Sequence, residues 1–594
     1  RLLAVVVIGG AGEAAQLPSI DSIQEFEVQT NTFAAEYGRN TGSVVNLVTK
    51  SGTNQLHGSL YEFFRNDVLD ARNYFNRDTF PKSGLHLNQF GGTLGGHIIK
   101  NNTFFFLNYE GFRRRAGITR ITNVPTLDQR AGIFAGLPNP VPVTPTSAAL
   151  FNLFPKPNLN DPSGNFISSP EQTDGTDQFL VKVDHRLRES DNLSARYSRT
   201  RIDTFFPFTP GQSGTNVPGY GVNDNGANHL VAINYTRVLS PRTLNEARLG
   251  FTRTNVQLAT EPGPQAADFG INTGWPAGSP LGLGNIPQLS FSGGFVSGSA
   301  SVSNLGGAID QPNRTAINTY QFVDNISHTT ARHSLKAGVD IRYTQLNRLY
   351  DLAFSGQVSF SGTSGQDALV NFAQGLSSGA LQFVGDSHRN FRNTSFGFFG
   401  QDSFKLRRNL TLNYGLRYEL NTVLNEAHGR LSSFRPQNFT TFLDPNDPNI
   451  QTNLDALHAA GVVTQHDVGD IYDPDYNNFA PRVGVAWDIF GNGKTVLRSG
   501  YGVFYETIIG NIPGNVMLNP PFLPDFFNAF PGWPDNPANP AVFAPSGFPV
   551  LTVTQQKLRT PYAQHYNLVL QQQLPGRSLF EIAGQQRYRA CEYQ

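Results

Sequence analysis

The chain has 594 residues, with 45 Lys and Arg balanced by 45 Asp and Glu and only 15% charged residues. That balance argues against nucleic-acid binding, which calls for a basic surface. A single cysteine, Cys591, rules out an internal disulfide framework, and no apolar run reaches the ~18 residues of a spanning helix.

At the N-terminus, residues 2–8 form an apolar run after Arg1, followed by small residues. The run reads either as the end of a signal peptide or as the remnant of a truncated upstream unit, so residues 1–19 carry no domain assignment. Residues 20–55 form a small first unit. Within it, residues 44–48 are almost continuously apolar and predict a strand buried on both faces. Gly38, Gly42 and Gly52 punctuate this unit.

Hairpins follow from residue 56 to 584. Phe105, Leu107 and Tyr109 alternate with Asn108 and Glu110. Phe179, Val181 and Val183 turn near 189–192 into Leu193, Ala195 and Tyr197. Val231, Ile233 and Tyr235 turn at Ser240-Pro241-Arg242 into Ala247, Leu249 and Phe251. Tyr320, Phe322 and Ile326 turn near Thr330-Ala331-Arg332 into Leu335, Ala337, Val339, Ile341 and Tyr343. Phe396 and Phe398 turn at Leu406-Arg407-Arg408 into Leu410, Leu412, Tyr414, Leu416 and Tyr418. Further pairs turn at Gly491-Asn492-Gly493 and near Pro575-Gly576.

A period of two marks strands with one apolar and one polar face. Such strands also build soluble sandwiches. Strand runs of about ten residues match a tilted bilayer crossing, and very long loops at one end opposite short turns match an outer-membrane barrel. The expected fold is therefore all-β, a large antiparallel transmembrane β-barrel. The loops 255–318, 347–393, 420–478 and 506–561 read as irregular. The last residues, 585–594, do not read as a barrel strand and are expected to form an atypical tail of the kind a frame shift leaves.

Chemical motifs are sparse. Gly375-Leu376-Ser377-Ser378-Gly379 matches a hydrolase elbow, but that motif needs a strand before it and a helix after it, so chance loop composition is favoured. Asp467, Asp470, Asp473 and Asp475 read as a solvated loop rather than a Ca²⁺ site. The scattered histidines, His328 and His333 among them, lack metal-ligand spacing. Glycines 91, 92, 95 and 96 suit close packing in strands better than a phosphate loop. No cofactor is expected, nor any catalytic or metal site. Phe522, Phe526, Phe527, Phe530 and Trp533 form an aromatic loop that either stacks on a ligand or packs on itself. Arg248, Arg342, Arg417, Arg498 and Glu419 fall on the polar face and are expected in the lumen.

The stretches Ile23-Gln24-Glu25-Phe26, Ala35-Glu36-Tyr37-Gly38 and Val44-Val45-Asn46-Leu47-Val48-Thr49-Lys50-Ser51-Gly52-Thr53-Asn54 resemble the end of the plug in TonB-dependent outer-membrane receptors of the Oar-like branch. His57-Gly58-Ser59-Leu60-Tyr61-Glu62-Phe63 resembles the entry to the first barrel strand. Asn478-Phe479-Ala480-Pro481-Arg482-Val483-Gly484 and Leu497-Arg498-Ser499-Gly500-Tyr501-Gly502 are similar to the same branch.

The resemblance implies a plug motif at Glu36, Tyr37, Gly38, Asn46, Thr49, Lys50, Ser51 and Gly52. It implies a receptor that is not an enzyme and that takes up an extracellular solute, in the outer membrane of a Gram-negative bacterium. The implied partners are TonB, the barrel-assembly machinery and outer-membrane lipid. Family barrels have 22 strands; alternation here marks about fourteen to sixteen, so the chain reads as a fragment. The TonB box, the start of the plug and any regulatory-like domain are expected outside it. The alternative is a structural or adhesive outer-membrane barrel without energised transport. A secreted soluble β-rich carbohydrate-active enzyme is a more distant rival.

Overall fold

Alternating residues pair here into one long antiparallel ladder. The computed structural model describes residues 18–29, 34–72, 74, 80, 82–208, 214–291, 302–362, 368–434, 462–507, 516–519, 521–523, 525–528, 532–536, 542–543 and 556–590. The main sheet runs in chain order through His57–Asn66, Leu85–Ile99, Thr103–Gly117, Glu171–Arg188, Asp191–Phe206, Val222–Ser240, Thr243–Thr260, Asn313–Thr329 and His333–Tyr350. It continues through Arg389–Arg407, Leu410–Asn421, Phe479–Asp488, Thr495–Tyr505, Tyr562–Gln573 and Leu579–Ala590. A short piece, Asn425–Glu426, pairs beside Arg389–Arg407, giving a 16-stranded sheet among the described residues.

Each strand pairs with its neighbour in sequence, so the sheet is an up-and-down meander. Short turns at 100–102, 189–190, 241–242, 330–332 and 408–409 lie at one end, and the long segments 118–170, 261–312, 351–388, 422–478 and 506–561 lie at the other. Several strands are longer than the ten residues expected, Val222–Ser240 reaching 19. Their extra length lies at the long-loop end, where residues such as Asn223, Asp224 and Asn225 are polar on both faces.

Register separates the two faces. Ile233, Leu249, Phe322, Ile341 and Phe396 stand side by side on the outer face. One residue along, Asn234, Arg248, Val323, Asp340, Gly397 and Glu419 form the adjacent row on the inner face. In the segment from Leu335 to Tyr343 those end residues are 45% and 38% exposed, whereas Asp340 between them is buried.

Three expectations change. Residues Gln585 to Ala590, expected to form a tail, continue the last strand in register with Tyr562–Asn567. Their polar, non-alternating sequence hid the pairing. The 44–48 strand is not buried on both faces: Val44, Asn46 and Thr49 are buried, whereas Val45, Leu47 and Val48 are half-buried, and its partner strand is Ile23–Gln29.

Where described, the long loops 118–170, 261–312, 351–388 and 506–561 are not irregular excursions. Leu150, Phe151, Phe291, Phe360, Phe372 and Trp533, from four of them, share one apolar core. The strands Gln288–Ser290, Gln357–Ser359, Gly379–Phe383 and Asp525–Asn528 form a four-stranded sheet beside it. Phe151 and Phe372 meet edge to face at 4.8 Å, as do Phe360 and Trp533 at 5.4 Å.

Single nitroxide labels from 335 to 343, on a chain with Cys591 replaced by Ser, are expected to show high oxygen accessibility in bilayers at odd positions and low accessibility at even ones. A flat profile along the strand would contradict the assignment of faces.

Candidate functional site

The candidate site is the contact between residues 34–54 and the inner wall of the sheet. The inner face does not touch lipid, so charged side chains there are satisfied by one another and by what fills the interior. Arg417 and Glu419 are two residues apart on one strand and therefore share a face. They are 1% and 2% exposed, and Arg417 Nε donates to Glu419 Oε1 at 2.6 Å. On the His333–Tyr350 strand, Arg342 Nη2 donates to Asp340 Oδ2 at 3.0 Å, and Gln321 donates to the other oxygen at 2.9 Å. Arg417 Nη2 lies 3.9 Å from Asp340, joining the two pairs.

The N-terminal segment plugs into this cluster through its backbone. Arg39 N–H donates to Glu419 at 2.9 Å. Arg417 donates to the carbonyls of Ala35 and Glu36, Arg482 to that of Ala34, His565 to that of Thr41 and Arg587 to that of Gly42. Lys336 pairs with Glu36, and Thr41 donates to Glu506 at 2.9 Å. Burial lowers the Arg39 pKa to about 10, with Arg342 adding to the effect and Asp340 and Glu419 opposing it. Arg39 therefore stays charged at neutral pH. The wall is cationic, and the segment meets it with carbonyl oxygens.

Glycine makes the approach possible. A Cβ at Gly38 would overlap the Glu419 carboxylate and the Arg417 guanidinium, and one at Gly397 would overlap the same guanidinium. A Cβ at Gly52 would overlap the backbone carbonyls of Gly96 and Phe105.

The expected motif residues gather at this contact. Tyr37 packs against Val44 and Phe504, and Asn46 donates to the Tyr37 hydroxyl at 3.2 Å and to Glu27 at 3.1 Å. Lys182 from the wall reaches the Thr49 carbonyl at 3.3 Å and Ser51 Oγ at 2.6 Å. Lys50 donates its backbone N–H to the Ser22 carbonyl. Arg248, Arg342, Glu36, Tyr37, Gly38 and Asn46 are among the residues lining a small cavity between segment and wall. Arg498 is on the inner register but stands apart, exposed, with Gln571 at 3.4 Å.

The described residues of the aromatic loop have separate surroundings. Trp533 is 1% exposed inside the loop core, the packed alternative of the two expected for this loop. Phe522 is half-buried beneath the Arg389 guanidinium. The backbone of Phe526 and Phe527 pairs with Gln382 and Leu381; their side chains, and Phe530, lie outside the described residues. Among the acidic residues, Asp475 is engaged by Arg559 at 3.1 Å and by the Thr560 N–H. Residues 375–379 follow the helix Ala368–Ala373 and lead into a strand, the reverse of a hydrolase elbow.

Arg39, Lys336, Asp340, Arg482, Glu506, His565 and Arg587 were not singled out from sequence. Asp340 and Lys336 carried a signal, since each lies on the same face as Arg342. Arg482 lay inside a motif already noted. Nothing local marked the others.

The family described as outer membrane beta barrel domain matches residues 48–585. The chain is 23% identical over 543 residues to the TonB-dependent transporter Oar of Myxococcus xanthus, a match spanning 83% of this chain and 45% of that protein. Its fold is similar to the outer membrane transporter YddB from Escherichia coli, with a TM-score of 0.54, 12% identity, and 96% of this chain against 57% of that one. The chain thus spans about half the length of the relatives it matches.

Removing one partner of a buried ion pair strands the other. Glu419→Ala and Arg417→Ala are each expected to destabilise the fold by about 3–5 kcal/mol, read from denaturant unfolding of the refolded chain. The double change Arg417→Met with Glu419→Leu is expected to cost less than either. Gly38→Ala is expected to leave the sheet folded while exposing residues 34–42 to protease. Continued protection of that segment would overturn the close-approach argument.

Proposed function

This chain belongs to the outer membrane beta barrel domain family, and on that premise we propose that it forms the bulk of a receptor that draws an extracellular solute inward by energised transport. It resides in the outer membrane of a Gram-negative bacterium. In this reading residues 20–55 are the end of a plug and residues 56–590 are barrel wall. TonB, acting through chain that precedes these residues, pulls the plug, and the barrel-assembly machinery inserts the wall into lipid. The similarity to the transporter Oar supports this reading.

The observation that carries it is the chemistry of the contact between segment and wall. A plug must hold firmly and yet yield to a pull. Here the hold consists of hydrogen bonds and ion pairs from Arg417, Arg482, His565 and Lys336 to one short segment. Such bonds exchange for bonds to water with modest net change, each about 1.5–3 kcal/mol where one partner is charged. They can break in succession as water enters. The polar inner face then serves as the path for a hydrated solute.

The Cβ of Ala35 lies 3.1 Å from where a Cβ at Gly415 would stand, close to disulfide reach. In a Gram-negative host expressing the full-length gene, mass spectrometry of spent rich medium is expected to find a solute depleted only when TonB is present. The Ala35→Cys, Gly415→Cys pair is expected to stop that depletion until reductant is added. Depletion without TonB, or despite the crosslink, would sink the reading. No depletion by the native protein would favour an adhesive or structural barrel instead.

A further inference from the structure

The outer face changes character row by row toward the long loops. One row holds Val183, Ala195, Ile233, Leu249, Phe322 and Ile341, all apolar. The next holds Val181, Tyr197, Val231, Phe251, Tyr320 and Tyr343. Its rings adjoin, Phe251 and Tyr320 at 5.0 Å and Tyr320 and Tyr343 at 6.2 Å. A belt of this kind marks the edge of the hydrocarbon. The row above it holds Phe179, Arg199, His229, Arg253, Asn318 and Gln345, and runs on to Arg392. Arg201 lies one row higher and Arg314 two. Tyr197 bridges belt and basic row, its hydroxyl 3.0 Å from His229 Nδ1. Arginine on the lipid face of a barrel is costly at mid-bilayer and nearly free at the interface, so this row stands at headgroup level. The long-loop end is the extracellular one, which places it in the outer leaflet.

The charges of this patch do not cancel. Arg199, His229 and Arg253 stand side by side on three adjoining strands, and such a row of basic groups repels itself unless an anion lies over it. Arg253 Nη1 donates to Asn318 Oδ1 at 3.0 Å, and Arg392 Nη1 to Asn347 Oδ1 at 3.0 Å. These neutral amides fix the guanidinium groups without neutralising them. The carboxylates of the same face are already engaged: Asp177 by Arg113 and Tyr109, each at 2.7 Å, and Asp203 by Arg201 at 3.5 Å. Among the described residues, none of Arg199, Arg253, Arg314 and Arg392 is ion-paired.

We propose that this patch binds the phosphates of the anionic glycolipid that builds the outer leaflet of a Gram-negative outer membrane. Its acyl chains lie against Ile233, Leu249 and Phe322 below the aromatic belt, and its phosphates sit among Arg199, His229 and Arg253. The guanidinium fork matches phosphate oxygens two at a time. A lipid without net charge gains the acyl contact but not this pairing. The site lies on the lipid side of the wall, is independent of the uptake reading, and its failure would leave that reading untouched.

The test holds the full chain in neutral detergent with equal amounts of lipid A, the acylated phosphodisaccharide of that glycolipid, and of lipid A stripped of its phosphates. Native mass spectrometry then weighs the complexes. Several-fold more of the phosphorylated form is expected to stay bound, and inorganic phosphate is expected not to displace it. Arg199→Gln with Arg253→Gln is expected to bring the two forms level. Arg407→Gln with Arg408→Gln, the same loss of charge at the short turns, is expected to leave the preference unchanged. Arg199 is exposed, so Arg199→Gln alone disturbs no packing and is expected to weaken retention even where the double change fails to fold. Equal retention of both forms by the native chain, phosphatidylglycerol held as strongly as lipid A, displacement by inorganic phosphate, or equal loss in the two double variants would overturn the proposal.

Discussion

Hydrocarbon offers a backbone amide no partner, and this constraint organises the molecule. An unpaired N–H or C=O costs several kcal/mol in lipid, so each strand crossing it must be bonded along its length. The meander meets that demand for its inner strands by pairing each with its sequence neighbours, and among the described residues His57–Asn66 and Leu579–Ala590 stand at its two margins with one partner strand each. Pairing imposes alternation, and alternation divides the wall into a face that touches lipid and a face that does not. Only the second can carry Arg417 and Glu419 at 1% and 2% exposure, because there their charges meet each other and the N-terminal segment rather than acyl chains.

The charges of that inner face do not balance by side chains alone. Arg39, Lys336, Arg342, Arg417 and Arg482 meet Glu36, Asp340 and Glu419. Arg417 and Arg482 donate further to the carbonyl oxygens of Ala34, Ala35 and Glu36, and His565 and Arg587 donate in the same way to those of Thr41 and Gly42. Guanidinium groups suit this task, since five N–H donors in a rigid fork can serve a carboxylate and several carbonyls together. A backbone used as an acceptor must come close to the wall, and this explains why Gly38 lies where any side chain would collide. Charge, close approach and glycine are one device.

The barrel was readable in sequence because its cause is local. Period two in Leu335 to Tyr343 follows from which solvent touches each face, and a single strand displays it. The inward placement of Arg248, Arg342, Arg417 and Glu419 followed from the same parity. What failed was either non-periodic or long-range. Gln585 to Ala590 pair fully although polar residues occupy both parities, because a strand at one margin of the described sheet is held by backbone bonds rather than by an apolar face. Trp533 gave no sign of its burial, because the residues that cover it, Phe360 and Phe372, lie in a loop far away in sequence. The partners of the 34–42 segment were hidden for the same reason: Arg39 and Glu419 are 380 residues apart.

The two ends of the interior are held by different forces. At the long-loop end, Phe151, Phe291, Phe360, Phe372 and Trp533 form a dry aromatic core, stabilised by burial at roughly 25 cal/mol per Å². Such a core loses its stabilisation when any large portion of it is pulled away, so it moves as a body. Within the wall, the N-terminal segment is held by hydrogen bonds and ion pairs, which release singly because water replaces each partner. A lateral load applied to the loops therefore meets a cooperative body. A load applied along the N-terminal segment meets Arg482, Arg417, His565 and Arg587 in turn. The same chain thus combines an aromatic core among its long loops with an inner contact made of hydrogen bonds and ion pairs, and the difference follows from which side of the sheet each set of residues was free to occupy.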